Sequence, residues 1–131
     1  MIGLDTNVLV RYIMQDDPKQ SPKATRLIES LDATETGFIA LVSVIELVWV
    51  LSFSYQLTRE QVAQALDAIL RTQEFVIESA EQVLRALRVY KAGKADFADC
   101  LIERSAAKAG CGRTMTFDVG ASKHAGMTLV P

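Results

Sequence analysis

Along the chain, blocks of apolar residues with a strand-like pattern take turns with blocks of helical period. Ile2 and Leu4 predict a first short strand ending at Asp5, and NVLVRYIM continues as a helix that stops near Asp16, Asp17 and Pro18. Ser21 with Pro22 restarts a helix in which Ala24, Leu27, Ile28 and Leu31 recur at spacings of three and four. TGFIALV predicts a second strand, and Ser43 with Glu46 forms an S-x-x-E capping box that opens a third helix. Thr58 with Gln61 opens a fourth, with Val62, Leu66, Ile69 and Leu70 on one face. EFVIE is the third strand. Ser79 with Gln82 then starts a helix through Val83, Leu87 and Tyr90 that ends at Gly93 in a left-handed turn. A last long helix runs from about Ala95 to Ala109 and closes at Gly110, followed by RTMTF as a fourth strand and MTLV as a short fifth.

Strands that alternate with helices imply a parallel sheet of about five strands covered on both faces. In such sheets ligands bind beyond the carboxyl ends of the strands. At 131 residues the chain is read as one domain, residues 1–131, with no linker composition and no repeat. Thr36 to Thr58 carries Glu46 as its only charge and is long enough to span a bilayer. The capping box in its middle argues instead for a strand followed by a helix, both buried.

The net charge of −2 excludes a globally basic surface as a way of holding nucleic acid, so any polyanion must be gripped locally. Cys100 and Cys111 make no metal-ligand pattern, and with no signal peptide they read as reduced cytoplasmic thiols.

Candidate chemistry lies in lone acids at strand ends and helix starts. Asp5 ends the first strand and Asp118 ends TMTFD, the fourth. Asp5 would also serve as a helix N-cap, and Glu46 has an equal claim as cap or as site residue. On the helix ADFADCLIERSAAKAG, a turn of about 100° per residue gathers Phe97, Leu101, Ser105, Ala98, Ala109, Ile102 and Ala106 into a buried arc. Asp99 falls at the edge of that arc, Asp96 reads as the N-cap, and Glu103 points toward water. If Asp5, Glu46, Asp99 and Asp118 shared one rim they would repel one another, and a hard divalent ion would remove that cost. Oxygen ligands suit Mg2+ or Mn2+, whereas a single His124 without a cysteine partner speaks against zinc. Acids holding such ions usually act on phosphate esters. A D-x-D phosphatase of the aspartyl-phosphate type is the rival enzyme, but here the second acid is replaced by Asn7.

LDTNVLVR, SVIEL, ADFADCLI and TFD, in this order and from end to end of the chain, resemble the PIN-domain family, and the small size and DTN start resemble its VapC-type toxin ribonucleases. The resemblance implies a three-layer α/β/α sandwich around a mainly parallel sheet. It assigns the catalytic acids to Asp5, Glu46, Asp99 and Asp118, with Asp5, Asp99 and Asp118 on the metal and Glu46 completing the site or orienting the attacking water. Thr6, Asn7, Asp96 and Thr116 would support them. It also implies Mg2+- or Mn2+-dependent endonucleolytic cleavage of RNA, a small antitoxin partner and a homodimer. PIN domains that serve in RNA processing, or that have lost activity and only bind, are the alternative it leaves open. The dimer has its own signal: Leu47, Val48, Trp49, Val50, Leu51 and Phe53 cover nearly every side of one helix, more than a sheet can bury. A second copy is expected on that face, with Trp49 or Tyr55 at the contact.

Overall fold

Leu4, in the linker that leaves the first strand, packs against the strand beside it, and that neighbour begins with a glycine. A Cβ on Gly37 would lie 2.8 Å from Leu4 Cδ1 and 3.0 Å from Leu31 Cδ1, so no side chain fits there without moving both leucines. The computed structural model describes every residue from Met1 to Pro131, in two compact units, Met1–Glu78 and Ser79–Pro131.

The first unit runs β1 (Ile2–Gly3), α1 (Thr6–Met14), α2 (Gln20–Glu29), β2 (Gly37–Ile39), α3 (Leu41–Trp49), a π-helical turn (Val50–Ser54), α4 (Arg59–Arg71) and β3 (Phe75–Ile77). The strands stand in the order β1-β2-β3, both pairings parallel, with Ile2 opposite Gly37 and Gly37 opposite Phe75. Parallel neighbours need long crossovers, which the helix pairs α1/α2 and α3/α4 supply. Leu9, Ile39, Leu47, Leu51, Val62 and Leu66 are fully buried and form the core of this unit. Each such side chain contributes roughly 1.5–3 kcal/mol relative to exposure.

The second unit comprises α5 (Ala80–Ala92), α6 (Phe97–Lys108), β4 (Met115–Thr116), α7 (Val119–His124) and β5 (Thr128–Leu129), with β4 and β5 parallel. Val83, Ala86, Leu87, Phe97, Cys100 and Leu101 fill its core, and Tyr90 meets Phe97 edge to face at 5.8 Å. The chain is therefore α/β with five strands, every pairing parallel, divided three and two.

Several local expectations differ from the structure. α3 begins at Leu41, not at Ser43, and no side chain of its own N-cap residue, Ala40, closes it. The free amide of Leu41 is instead satisfied by Glu78 Oε1, at 2.8 Å, from the end of β3. A cap supplied from 37 residues away has no local signature, which is why the Ser43–Glu46 spacing misleads. Ser79 starts α5 without a side-chain cap, in a left-handed conformation, and Gly93 ends it at φ −155°, not in the left-handed region. The Thr58–Gln61 box, in contrast, closes in both directions. On α6 the buried arc is narrower than the wheel suggests, since Ile102 is exposed while Cys100 is buried. Six-residue α7 has too short a pattern to be visible in the sequence.

Candidate active site

In the first unit, β1 delivers Asp5 to the start of α1. Asp5 is the N-cap, its Oδ1 accepting from the amide of Thr6 at 2.7 Å, and the positive end of the helix dipole favours its charge. Next in the chain, Thr6 is buried, and its Oγ1 has no hydrogen-bond partner. Asn7 and Arg11, four residues apart, share one face of α1.

Glu46 comes from α3. Because the helix starts two residues before Ser43, Glu46 is in its interior and has no capping duty, so its carboxylate is free for another one. It lines an open cavity of about 520 Å³ together with Asp5, Thr6, Asn7, Arg11 and Tyr55, among others. Tyr55 reaches that cavity because of the π-helical turn. Nine residues at about 100° each would put Tyr55 opposite Glu46 on a regular α-helix. The i→i+5 bond from Tyr55 N to Val50 O, 3.2 Å, absorbs one extra residue, and the chain after it is turned back by about 100°. Phe53, which a regular helix would aim at the cavity, is 66% exposed instead.

In the second unit the acids sit on two helix starts. Asp96 caps α6, accepting from the amide of Asp99 at 3.1 Å. Asp118 caps α7, accepting from the amide of Ala121 at 3.1 Å, while its own amide donates to Thr116 Oγ1 at 3.0 Å. Asp99 is half-buried, and its carboxyl is pushed above the ordinary aspartate range, first by burial and then by the charges of Asp96 and Asp118. These three carboxylates are therefore electrostatic neighbours. Glu103 is not the solvated charge expected of it: its side chain is 16% exposed and forms a two-pronged pair with Arg104.

In neither unit do three His, Cys, Asp or Glu side chains converge into a finished metal cage. The donors are nevertheless oxygens throughout, as suits a hard divalent ion that keeps several waters. The orphaned Thr6 hydroxyl beside Asp5, and the crowding that raises Asp99, are both features that a bound cation and its water would relieve. The residues present fit such an ion. Sequence reasoning missed Arg11, Asp16 and Tyr55. The i, i+4 spacing from Asn7 could have found Arg11, but nothing in the sequence signals the π turn that brings in Tyr55.

Comparison with known proteins adds three findings. The sequence profile described as PIN domain matches residues 2–127. A protein of Aquifex aeolicus (strain VF5) named VapC ribonuclease is 27% identical over 114 residues, which are 87% of this chain and 84% of that one. The crystal structure of Mycobacterium tuberculosis VapC20, described as a sarcin-ricin loop cleaving toxin, superposes with a TM-score of 0.46 at 18% identity, covering 98% of this chain and 97% of that one.

Proposed function

This chain belongs to the PIN-domain family, and from that membership we propose that it is a metal-dependent endoribonuclease, the toxin of a toxin–antitoxin pair. The observation that carries the reading is the open cavity in which Asp5 and Glu46 stand without a cap-box role for Glu46. The similarity to a protein named VapC ribonuclease supports RNA as the substrate class.

Asp5, Asp99 and Asp118 would hold the ion, Mg2+ or Mn2+. When bound, it supplies neutralisation of the phosphate charge and a lowered pKa for the attacking water. Glu46, with no backbone amide to cap, would accept a hydrogen bond from that water and orient it. The Thr6 hydroxyl, which has no partner in the free protein, would donate to a ligand's water beside Asp5, and Asn7 would steady a carboxylate through its amide. Asp96 and Thr116 fix the start of α6 and the approach to Asp118 by the hydrogen bonds described above. The test is cleavage of end-labelled single-stranded RNA with Mg2+ or Mn2+, with EDTA as the control, alongside a thermal-shift titration with each ion. Cleavage that EDTA does not stop, or none under any condition, refutes the reading.

The homodimer belongs to the same proposal. α3 buries Val44, Leu47 and Val48 and leaves Val42, Ile45 and Trp49 exposed, with Trp49 and Phe53 in a tilted ring contact at 5.5 Å between ring centres. A second copy on a two-fold axis would cover this stripe. Light scattering should give about twice 14.4 kDa, and a mass of 14.4 kDa would overturn the dimer. A small antitoxin is the proposed regulatory partner and the cytoplasm the proposed location. No helix is long and apolar enough to cross a membrane.

A further inference from the structure

Arg11 is held more firmly than an arginine facing a cavity requires. Its Nε donates to Gln20 Oε1 at 2.9 Å, and its Nη1 lies 3.2 Å from Tyr55 Oη and 3.3 Å from Asp16 Oδ1. Tyr55 donates its own hydroxyl to Asp16 Oδ2 at 2.7 Å. That bond keeps the Asp16 carboxyl below its usual range and the Tyr55 phenol above its own, so the first stays charged and the second protonated. A guanidinium is a planar fork with five N–H donors, and three of its partners are now fixed. Nη2 keeps two donors with no acceptor among the bonds of Arg11.

Where that nitrogen can act follows from two cavities of the first unit that Arg11 lines. Arg11 lines the cavity of Asp5 and Glu46 and also a second one of about 250 Å³, whose other polar members are Asn7, Gln20 and Lys23. Along α1, Asn7 and Arg11 are separated by a rise of about 6 Å, the scale of one nucleotide step. A protein of net charge −2 must grip a polyanion through a few local cations. Arg11 and Lys23 are the cations on this track.

We propose that Arg11 binds a backbone phosphate of the substrate next to the one that is cut, with Tyr55 and Asp16 as positioning residues for its guanidinium, and that the RNA strand continues past it toward Lys23. This rests on the nuclease reading above and deepens it. The π turn acquires a purpose in consequence, because it carries the hydroxyl that orients the clamp.

The experiment compares wild type with Arg11→Met, Arg11→Lys and Tyr55→Phe, all checked for folding by circular dichroism. Arg11→Met should raise KM about tenfold with kcat nearly unchanged, and should lower the slope of log affinity against log salt by about 0.7, one phosphate contact on a single strand. Arg11→Lys should restore the slope but only part of KM, since it keeps the charge and loses the fork. Tyr55→Phe should raise KM less and leave the slope alone. A folded Arg11→Met with unchanged KM and slope overturns the clamp. A second measurement uses the native protein in EDTA, where RNA binds uncut: arginine-selective phenylglyoxal labelling read by mass spectrometry, with binding followed by fluorescence anisotropy. Saturating RNA should protect Arg11 and leave Arg85, which pairs with Glu81, labelled as before. An Arg11 labelled equally with and without bound RNA overturns the clamp while sparing the nuclease. A wild type that neither binds RNA in EDTA nor cleaves it with Mg2+ or Mn2+ removes the nuclease reading first and the clamp with it.

Discussion

The two units treat their carboxylates in opposite ways. In Met1–Glu78, Asp5 and Glu46 come from different helices and share their cavity with a guanidinium that is pinned by three side chains. In Ser79–Pro131, Asp99 is set by burial and then by the charges of Asp96 and Asp118, which together lift its carboxyl above the ordinary range. One region stores its acids beside a compensating charge; the other holds its acids in a frustrated state that only an added cation or a proton relieves. On the metal-site reading proposed above, the electrostatic cost falls mainly on the second unit.

The largest effect should come from removing a charge on either side. Asp5→Asn and Asp99→Asn are each expected to cut metal-dependent RNA cleavage by about a hundredfold or more, with circular dichroism unchanged. Wild-type rates in either folded variant would break the assignment of that unit's acids. Stability should then separate the two regions. Thr6→Val in the first unit replaces a buried, unpartnered hydroxyl by a methyl of the same shape, so urea titration should show a gain of about 1–3 kcal/mol. A loss would mean that the hydroxyl is already satisfied in the free protein.

Asp99 offers a pH-dependent version of the same contrast. Its pKa is raised in the folded state, so its favourable contribution is present below the unfolded value and disappears as pH rises through the folded one. Asp99→Asn should therefore melt higher than wild type at pH 7, and the gap should close as pH falls below about 3.9, where Asp99 is protonated in the folded and the unfolded state alike. A gap that is independent of pH would show that Asp99 is not crowded. The smallest effect belongs to Asp96→Ala, which removes the cap on the Asp99 amide and should cost about 1 kcal/mol. Cleavage should fall far less than in Asp99→Ala, and an equal loss would make Asp96 a ligand.

How much of this was legible depends on how local each cause is. Asp5 and Asp118 could be read because a lone acid after a short apolar run marks a strand end, and the structure gives each a cap bond, the one at Asp118 on a helix too short to be read. Thr58 with Gln61 could be read because its capping box is local. Glu46 was read as half cap and half site because S-x-x-E is a true local signal, and it was overridden by Glu78 reaching across from β3. The wheel of α6 placed Asp99 well but misjudged Glu103, whose cover comes from Arg104 beside it and not from the apolar period. That Tyr55 lies on the Arg11 cavity could not be read, since an i→i+5 turn leaves no trace in composition.

The exposed stripe of α3 has a spectroscopic consequence. Trp49 is the chain's sole tryptophan, 58% exposed and in tilted contact with Phe53, so the tryptophan emission of the whole protein reports on that one surface. Anything that covers the stripe should shift the emission to the blue and shield it from iodide quenching. Unlabelled protein therefore carries its own optical gauge of association, readable at concentrations far below those that scattering requires.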